Sequence, residues 1–410
     1  MAKPKKEKPA EANQVTSTTQ TDDFAADLIK SINKERGARV AYNLAVDDSP
    51  TIVKRWISSG SRQLDYLIRN APGGGYPEGR IVEIFGPPGI GKSHIATQIC
   101  VSTQRMGGIA VYVDAECATS VENIKNLGVN VKSRFVYIQE HCTETIFSII
   151  ESTILKAKSM HKDVPVTIIW DSLAGSSPKA ELEGDYDKDS IGLQARALSK
   201  GMRKITNVIG SNSVLLVVLN QIRTKIGEKY GDPDAPPGGK AVPFHASVRI
   251  KLSSGAVITD DGSKDGEPIG INVNVKVIKN RLAPPFRKCN FEIHFGIGIK
   301  EHEQLFDLMR PTGEVLHKGM LACVEGTGAW KTFYLKDHDT LEIVTEKKFY
   351  KIHFHELWKN PEYLPYLEAI LEKTMVRTLE SNETPDIDPD SYVDVKAVAD
   401  LIEEEIGSDE

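Results

Sequence analysis

The sequence predicts an α/β protein whose central sheet is mostly parallel, with an N-terminal helix ahead of that core and a small α+β C-terminal domain after it. Three observations point there. Between Ile81 and Asn220, apolar runs of strand length alternate with longer helical stretches, the pattern of parallel strands buried on both faces by crossover helices. The first run leads directly into a glycine-rich turn and then a helical pattern. The length of 410 residues exceeds one average domain, so a large core plus an appendage is the economical arrangement.

Taken in order, residues 1–20 are rich in Lys, Glu, Pro, Thr and Gln with almost nothing to bury, and read as a disordered leader. Residues 21–58 form an N-terminal helix and linker. Phe24, Leu28, Ile29 and Ile32 recur at helical spacing behind the capping candidates Thr21, Asp22 and Asp23, which predicts an amphipathic helix from Asp22 to about Glu35. The core covers 59–298. Its parallel strands are expected at Ile81–Phe85, Ile109–Val113, Phe135–Ile138, Val166–Trp170 and Val214–Leu219. Ser247–Leu252, Asn272–Lys279 and Phe291–Phe295, joined by Gly- and Asp-rich turns, are expected as antiparallel additions at one sheet edge. Residues 299–410 mix helices and short strands and close on Glu403, Glu404, Glu405, Asp409 and Glu410, a C-terminal domain with an acidic tail.

Composition excludes several classes. No apolar run approaches the roughly 20 residues that span a bilayer, and the lysines at 3, 5, 6 and 8 are followed by no apolar stretch, so a secretory signal is not expected. Five scattered cysteines without CxxC spacing argue for reduced thiols in a cytoplasm. A formal net charge of −6 gives no global attraction to nucleic acid, so DNA binding would have to come from local clusters of Lys and Arg.

The chemistry begins at Gly86-Pro87-Pro88-Gly89-Ile90-Gly91-Lys92-Ser93, which satisfies G-x-x-x-x-G-K-[ST] between a strand and a helix opening at His94. Backbone N–H groups of such a loop curl round phosphates at a helix N-terminus, Lys92 neutralises the β/γ-phosphates, and the Ser93 hydroxyl can ligate Mg²⁺. Asp171 ends a buried strand at the sheet edge where α/β folds bind ligands, the place for an acid that holds Mg²⁺ through water. The nucleotide-binding set is therefore Gly86 to His94 with Asp171. Glu116, three residues past its strand, is placed to orient a water in line with the γ-phosphate, although Asp114 competes for that role. Gln221 carries a neutral amide suited to sensing the γ-phosphate or simply to structural hydrogen bonding.

The stretches GRIVEIFGPPGIGKS, VYVDAE, IIWDS, SPKAELEGDYDKDSIGLQARALSKGMRK, NQIRTKIGEKYGDPDAPPGGKAVPFHASVRI, VKVIKNRLAPPF and GAW, in that order, resemble bacterial RecA and its phage-encoded relatives over roughly Ser59 to Trp330. The resemblance implies a RecA-like P-loop NTPase core and a recombinase that uses ATP and Mg²⁺. Such an enzyme forms a helical filament on single-stranded DNA and pairs it with a homologous duplex. It implies that Lys279 and Arg281 reach the phosphates of a neighbouring subunit's nucleotide, and that Gln221 couples the γ-phosphate to a second DNA-binding loop. DNA contacts would come from Arg196, Arg223 and Lys225, from the backbone near Gly192, Gly238 and Gly239, and from Ile191 or Ile226 wedging between bases. Phe244 and the N-terminal helix would lie at the subunit interface. Single-strand-binding and mediator proteins are implied partners, and a bacterial cytoplasm or nucleoid the compartment.

The chain also departs from bacterial RecA. Asn123 stands where adenine is expected to stack on a tyrosine, and Pro243 replaces a basic residue beside Phe244; such departures lean toward a phage gene. A ring helicase or regulatory ATPase of the same fold would share the P-loop and Asp171 but not the paired loops or the Lys279/Arg281 strand. A DNA-coating filament without turnover would have no use for Glu116.

Overall fold

The structure, a computed structural model, describes residues 19–46, 49, 51–184, 192–224, 234–235 and 239–377. Chain order runs through α1 (Thr19–Arg36), α2 (Arg62–Arg69), β1 (Ile81–Gly86), α3 (Lys92–Arg105), β2 (Ile109–Asp114), α4 (Val121–Asn126), β3 (Phe135–Gln139), α5 (Thr143–Met160) and β4 (Val166–Asp171). It continues with α6 (Leu193–Asn212), β5 (Leu215–Gln221), α7 (Ala241–His245), β6 (Val248–Thr259), β7 (Pro268–Asn280), β8 (Lys288–His294) and β9 (Gly298–Lys300). The nine strands make one sheet in the order β9-β8-β7-β6-β1-β5-β4-β2-β3.

From β6 to β3 every pairing is parallel, and from β6 to β9 every pairing is antiparallel. One expectation needs correction here, because the strand starting at Val248 joins β1 in parallel and only its outer edge is antiparallel. The short helix α7 carries the chain back to the start of β1, where the Ser247 N–H donates to Ile81 O at 2.8 Å. The strand that follows must run alongside β1 in the same direction. α1 covers the expected helix and one turn more, and it leaves Phe24 and Leu28 exposed.

Side chains of a buried strand alternate between two faces, and the core divides accordingly. Leu215, Val217 and Leu219 pack with Ile95 and Ile99 of α3 on one face, whereas Leu216 and Val218 pack with Ile150 of α5 and Leu198, Met202 and Ile205 of α6 on the other. Fit is tight on the second face. Phe147 sits edge-on to Trp170 with ring centroids 5.2 Å apart, and a Cβ added at Gly201 would lie 2.1 Å from Phe147 Cε2. Gly201→Ala is therefore expected to destabilise the fold by about 1–3 kcal/mol through overpacking, despite alanine's better helix propensity; urea unfolding checks it, and an unchanged midpoint would contradict the close contact.

Beyond Lys300 lie α8 (His302–Met309), a four-stranded antiparallel sheet of β10 (Val315–His317), β11 (Met320–Glu325), β12 (Trp330–Asp337) and β13 (Ile343–Tyr350), and α9 (Leu364–Met375). Phe306, Phe333 and Leu367 join the core cluster that contains α3. Glu301 fastens this region to α2, accepting from Ser61 Oγ and from the Arg62 N–H, each at 2.6 Å. It thereby satisfies donors that a helix N-terminus leaves free. All five cysteines are free thiols, and among the described residues no helix is long and apolar enough to cross a membrane.

Candidate nucleotide site and DNA-facing loops

The loop between β1 and α3 takes its shape from its glycines. Gly89 and Gly91 have φ of +72° and +91°, a region costly for residues with a Cβ, and a Cβ at Gly91 would lie 2.5 Å from Ile293 Cδ1 of β8. Gly91 precedes the first turn of α3, so the free N–H groups of that turn face the loop. The Lys92 ammonium donates to Gly86 O at 3.0 Å and Pro87 O at 2.6 Å. Burial pulls its pKa below the usual lysine range, against the pull of the Asp171 and Glu116 carboxylates.

Asp171 ends β4, level with Asp114 of β2. Burial raises its pKa, opposed by hydrogen bonds from Tyr112 and Ser93; the Tyr112 hydroxyl donates to Asp171 Oδ2 at 2.5 Å. Ser93 and Asp171 thus bring a hydroxyl and a carboxylate together, an oxygen-only pair that suits Mg²⁺. With His94, Glu116 and Asn123 they line a cleft of about 140 Å³. The position expected to stack adenine is thus on the cleft wall, and it carries a carboxamide. His94 lines the same cleft, its Nε2 is buried without a hydrogen-bond partner among the described residues, and burial lowers its pKa.

The two candidate bases differ in their hydrogen-bond partners. Asp114 accepts from the Glu116 and Thr119 N–H groups, each at 3.0 Å, and from the Tyr137 hydroxyl at 2.9 Å. Burial works against its charge, yet the bonds from Thr119 and Tyr137 prevail and hold its pKa below the usual range. That carboxylate is committed to shaping the turn. Glu116 lines the cleft as Asp114 does, but its carboxylate accepts from Ser172 Oγ and, at 2.9 Å, from Gln221 Nε2. Gly175 makes room for it, since a Cβ there would lie 2.5 Å from Glu116 Cγ.

Lys279 and Arg281 stand elsewhere. They follow β7 to the end of the sheet where β1 begins, whereas the P-loop follows the end of β1. Lys279 Nζ donates to Pro243 O at 2.7 Å and Phe244 O at 3.0 Å, and Arg281 Nη2 donates to Phe244 O at 3.0 Å. Burial, then the charges of Arg281 and Arg249, draw the Lys279 pKa down to about 8. Phe244 projects beside them, 68% exposed.

Of the expected DNA-contacting residues, Gly192 opens α6 with φ +77°, and Arg196 lies exposed on its first turn. Gly239 closes the second loop at φ +71°, so near α6 that a Cβ would lie 3.1 Å from Ala195 Cβ. The ends of the two loops therefore meet. Arg223 is described in its backbone alone, on a short strand paired with Asp234–Ala235. Ile191, Lys225, Ile226 and Gly238 lie outside the described residues.

Sequence reasoning passed over Tyr112, Ser172 and Gly175. Ser172 carried a usable signal as the residue after the strand-ending acid; Tyr112 and Gly175 have meaning only once β2 and β4 are neighbours.

A strand–glycine loop–helix cradle, a strand-ending acid beside the loop serine, and a second acid facing the cleft define a P-loop ATPase built on a mostly parallel sheet. The family model described as RecA N-terminal domain matches residues 24–300, beginning well before Ser59, so α1 from Phe24 onward lies within it. The chain is 37% identical over 321 residues to Protein RecA of Desulforapulum autotrophicum, covering 78% of this chain and 83% of that one. To Protein RecA of Campylobacter fetus it is 38% identical over 307 residues, 74% and 81% of the two chains. To Protein RecA of Campylobacter jejuni it is 36% identical over 348 residues, 85% and 92%. The chain belongs to the RecA family.

Proposed function

We propose that this chain is an ATP-driven homologous recombinase, a DNA-dependent ATPase of repair and recombination. It forms a helical filament on single-stranded DNA and exchanges strands with a homologous duplex. The observation that carries the reading is the hydrogen bond from Gln221 to Glu116, which joins the water-orienting acid to the last residue of β5, two positions before Arg223.

In this mechanism the γ-phosphate of ATP draws Lys92 from the carbonyls of Gly86 and Pro87, and the loop N–H groups take the remaining phosphate oxygens. Glu116 receives the proton of the attacking water. Gln221 exchanges its bond to Glu116 for one to the γ-phosphate and so changes the path of the chain toward Arg223. Ser93 and, through water, Asp171 would hold Mg²⁺, which would supply charge neutralisation for the phosphates. Lys279 and Arg281, remote from their own P-loop, act on the nucleotide of the adjacent subunit.

Arg196, Arg223 and Lys225 bind DNA phosphates without reading sequence, which leaves base edges free to test homology. Ile191 and Ile226 separate bases, and the backbone at Gly192, Gly238 and Gly239 approaches the strand closely. Single-strand-binding and mediator proteins act on the same filament. A phage gene working in a bacterial cytoplasm or nucleoid accords with the departures at Asn123 and Pro243.

Arg196→Ala combined with Arg223→Ala is expected to weaken single-strand binding and to flatten its salt dependence by about 1.4 in the log–log slope, the share of two phosphate contacts. Unchanged affinity and slope in titrations would displace the DNA-binding loops. The function itself is tested by ATP hydrolysis with and without single-stranded DNA, imaged in parallel by electron microscopy with a slowly hydrolysed ATP analogue. DNA-stimulated turnover with helical filaments is expected; closed rings, or turnover indifferent to DNA, would overturn the reading in favour of a helicase or regulatory ATPase.

A further inference from the structure

Glu83 is the one charged side chain within β1, and it is fully buried. A buried carboxylate costs several kcal/mol unless paired and hydrogen-bonded, and Glu83 divides its oxygens between the two neighbouring strands. Oε2 accepts from Arg249 Nε of β6 at 2.6 Å, and Oε1 accepts from Asn220 Nδ2 of β5 at 3.1 Å. Each partner leads onward. Asn220 Oδ1 accepts the Gln221 N–H at 3.0 Å, and Gln221 Nε2 holds Glu116 at 2.9 Å. Arg249 is the cross-strand partner of Lys279, whose ammonium rests on the carbonyls of Pro243 and Phe244.

A polar row, buried at Glu83 and Asn220 and partly exposed at Gln221, Arg249 and Lys279, therefore crosses the sheet from the hydrolytic acid to the cation at the other end. We propose that Glu83, Asn220 and Arg249 are positioning residues that tie Gln221 at the nucleotide site to Lys279 at the subunit joint. This rests on the reading above, in which Lys279 serves the adjacent subunit. Moving Gln221 onto a γ-phosphate pulls on Asn220, and the change passes to Arg249 because the two middle members, Glu83 and Asn220, are buried away from water. A row that only holds strands together would behave differently: its loss would alter stability and leave the two sites independent.

The test is a double-mutant cycle on the full chain with single-stranded DNA, using Glu83→Gln and Lys279→Ala, with a fluorescent ATP analogue to read nucleotide affinity apart from turnover. Glu83→Gln is expected to keep that affinity and lose about tenfold in DNA-stimulated kcat, and the double variant is expected to lose no more than Lys279→Ala alone. Multiplying losses, or parental turnover in a folded Glu83→Gln, would overturn the relay while leaving the joint in place. Parental turnover in Lys279→Ala would overturn the joint and the relay with it. If Glu83→Gln fails to fold, Asn220→Ser takes its place in the cycle, since it shortens the link and spares the buried ion pair; multiplying losses or parental turnover overturn the relay there too.

Discussion

Lys92→Ala is expected to lower ATP turnover by about 10²–10³-fold and to abolish nucleotide-dependent assembly. The ammonium is the only cation the P-loop itself supplies, and removing one preorganised charge from a phosphoryl-transfer site costs about that much. The folded chain should tolerate the change. Burial already opposes the charge of Lys92, and one of its two acceptors, the Pro87 carbonyl, belongs to a half-buried residue beside the exposed Pro88 and Gly89, where water can replace it. Circular dichroism melting alongside filter binding of labelled ATP separates the two effects. A normal melt with lost binding is the expected pair, and normal turnover would remove the loop from the site.

Glu116→Gln should behave in the opposite way, keeping ATP and DNA while losing about 10²–10⁴-fold in hydrolysis, the range attributed to a positioned general base. The amide has nearly the carboxylate's shape and can still meet Ser172 and Gln221, but it cannot accept the proton of the attacking water. Filaments that form with ATP and then persist are the expected outcome, followed by disassembly assays. Unchanged turnover would return the role to Asp114, against the three donors that now occupy its carboxylate.

Much of the fold was legible in sequence because β1, β2, β4 and β5 are apolar runs buried on both faces, and strands of that kind need no partner to be recognised. Val248 shows the limit. Whether its strand runs with or against β1 depends on where α7 returns the chain, a long-range fact that alternation along one strand does not contain. The P-loop and Asp171 were readable from motif and edge position. The hydrogen bonding that distinguishes Asp114 from Glu116 was not, since it involves Tyr137, 23 residues beyond Asp114 and brought near by β3 pairing with β2. Glu83 did carry a signal, a lone carboxylate inside an apolar strand, although its partners Asn220 and Arg249 lie more than a hundred residues downstream.

The distance between the P-loop and Lys279 has a consequence for counting. If each hydrolytic site takes its lysine and arginine from the next subunit, a run of n copies completes n − 1 sites, and the last copy carries a half-built one. Output per copy then climbs steeply over the first few members and levels off in long runs, so short stretches of coated strand turn over little ATP for their mass. The assembly would gauge its own length without any added component.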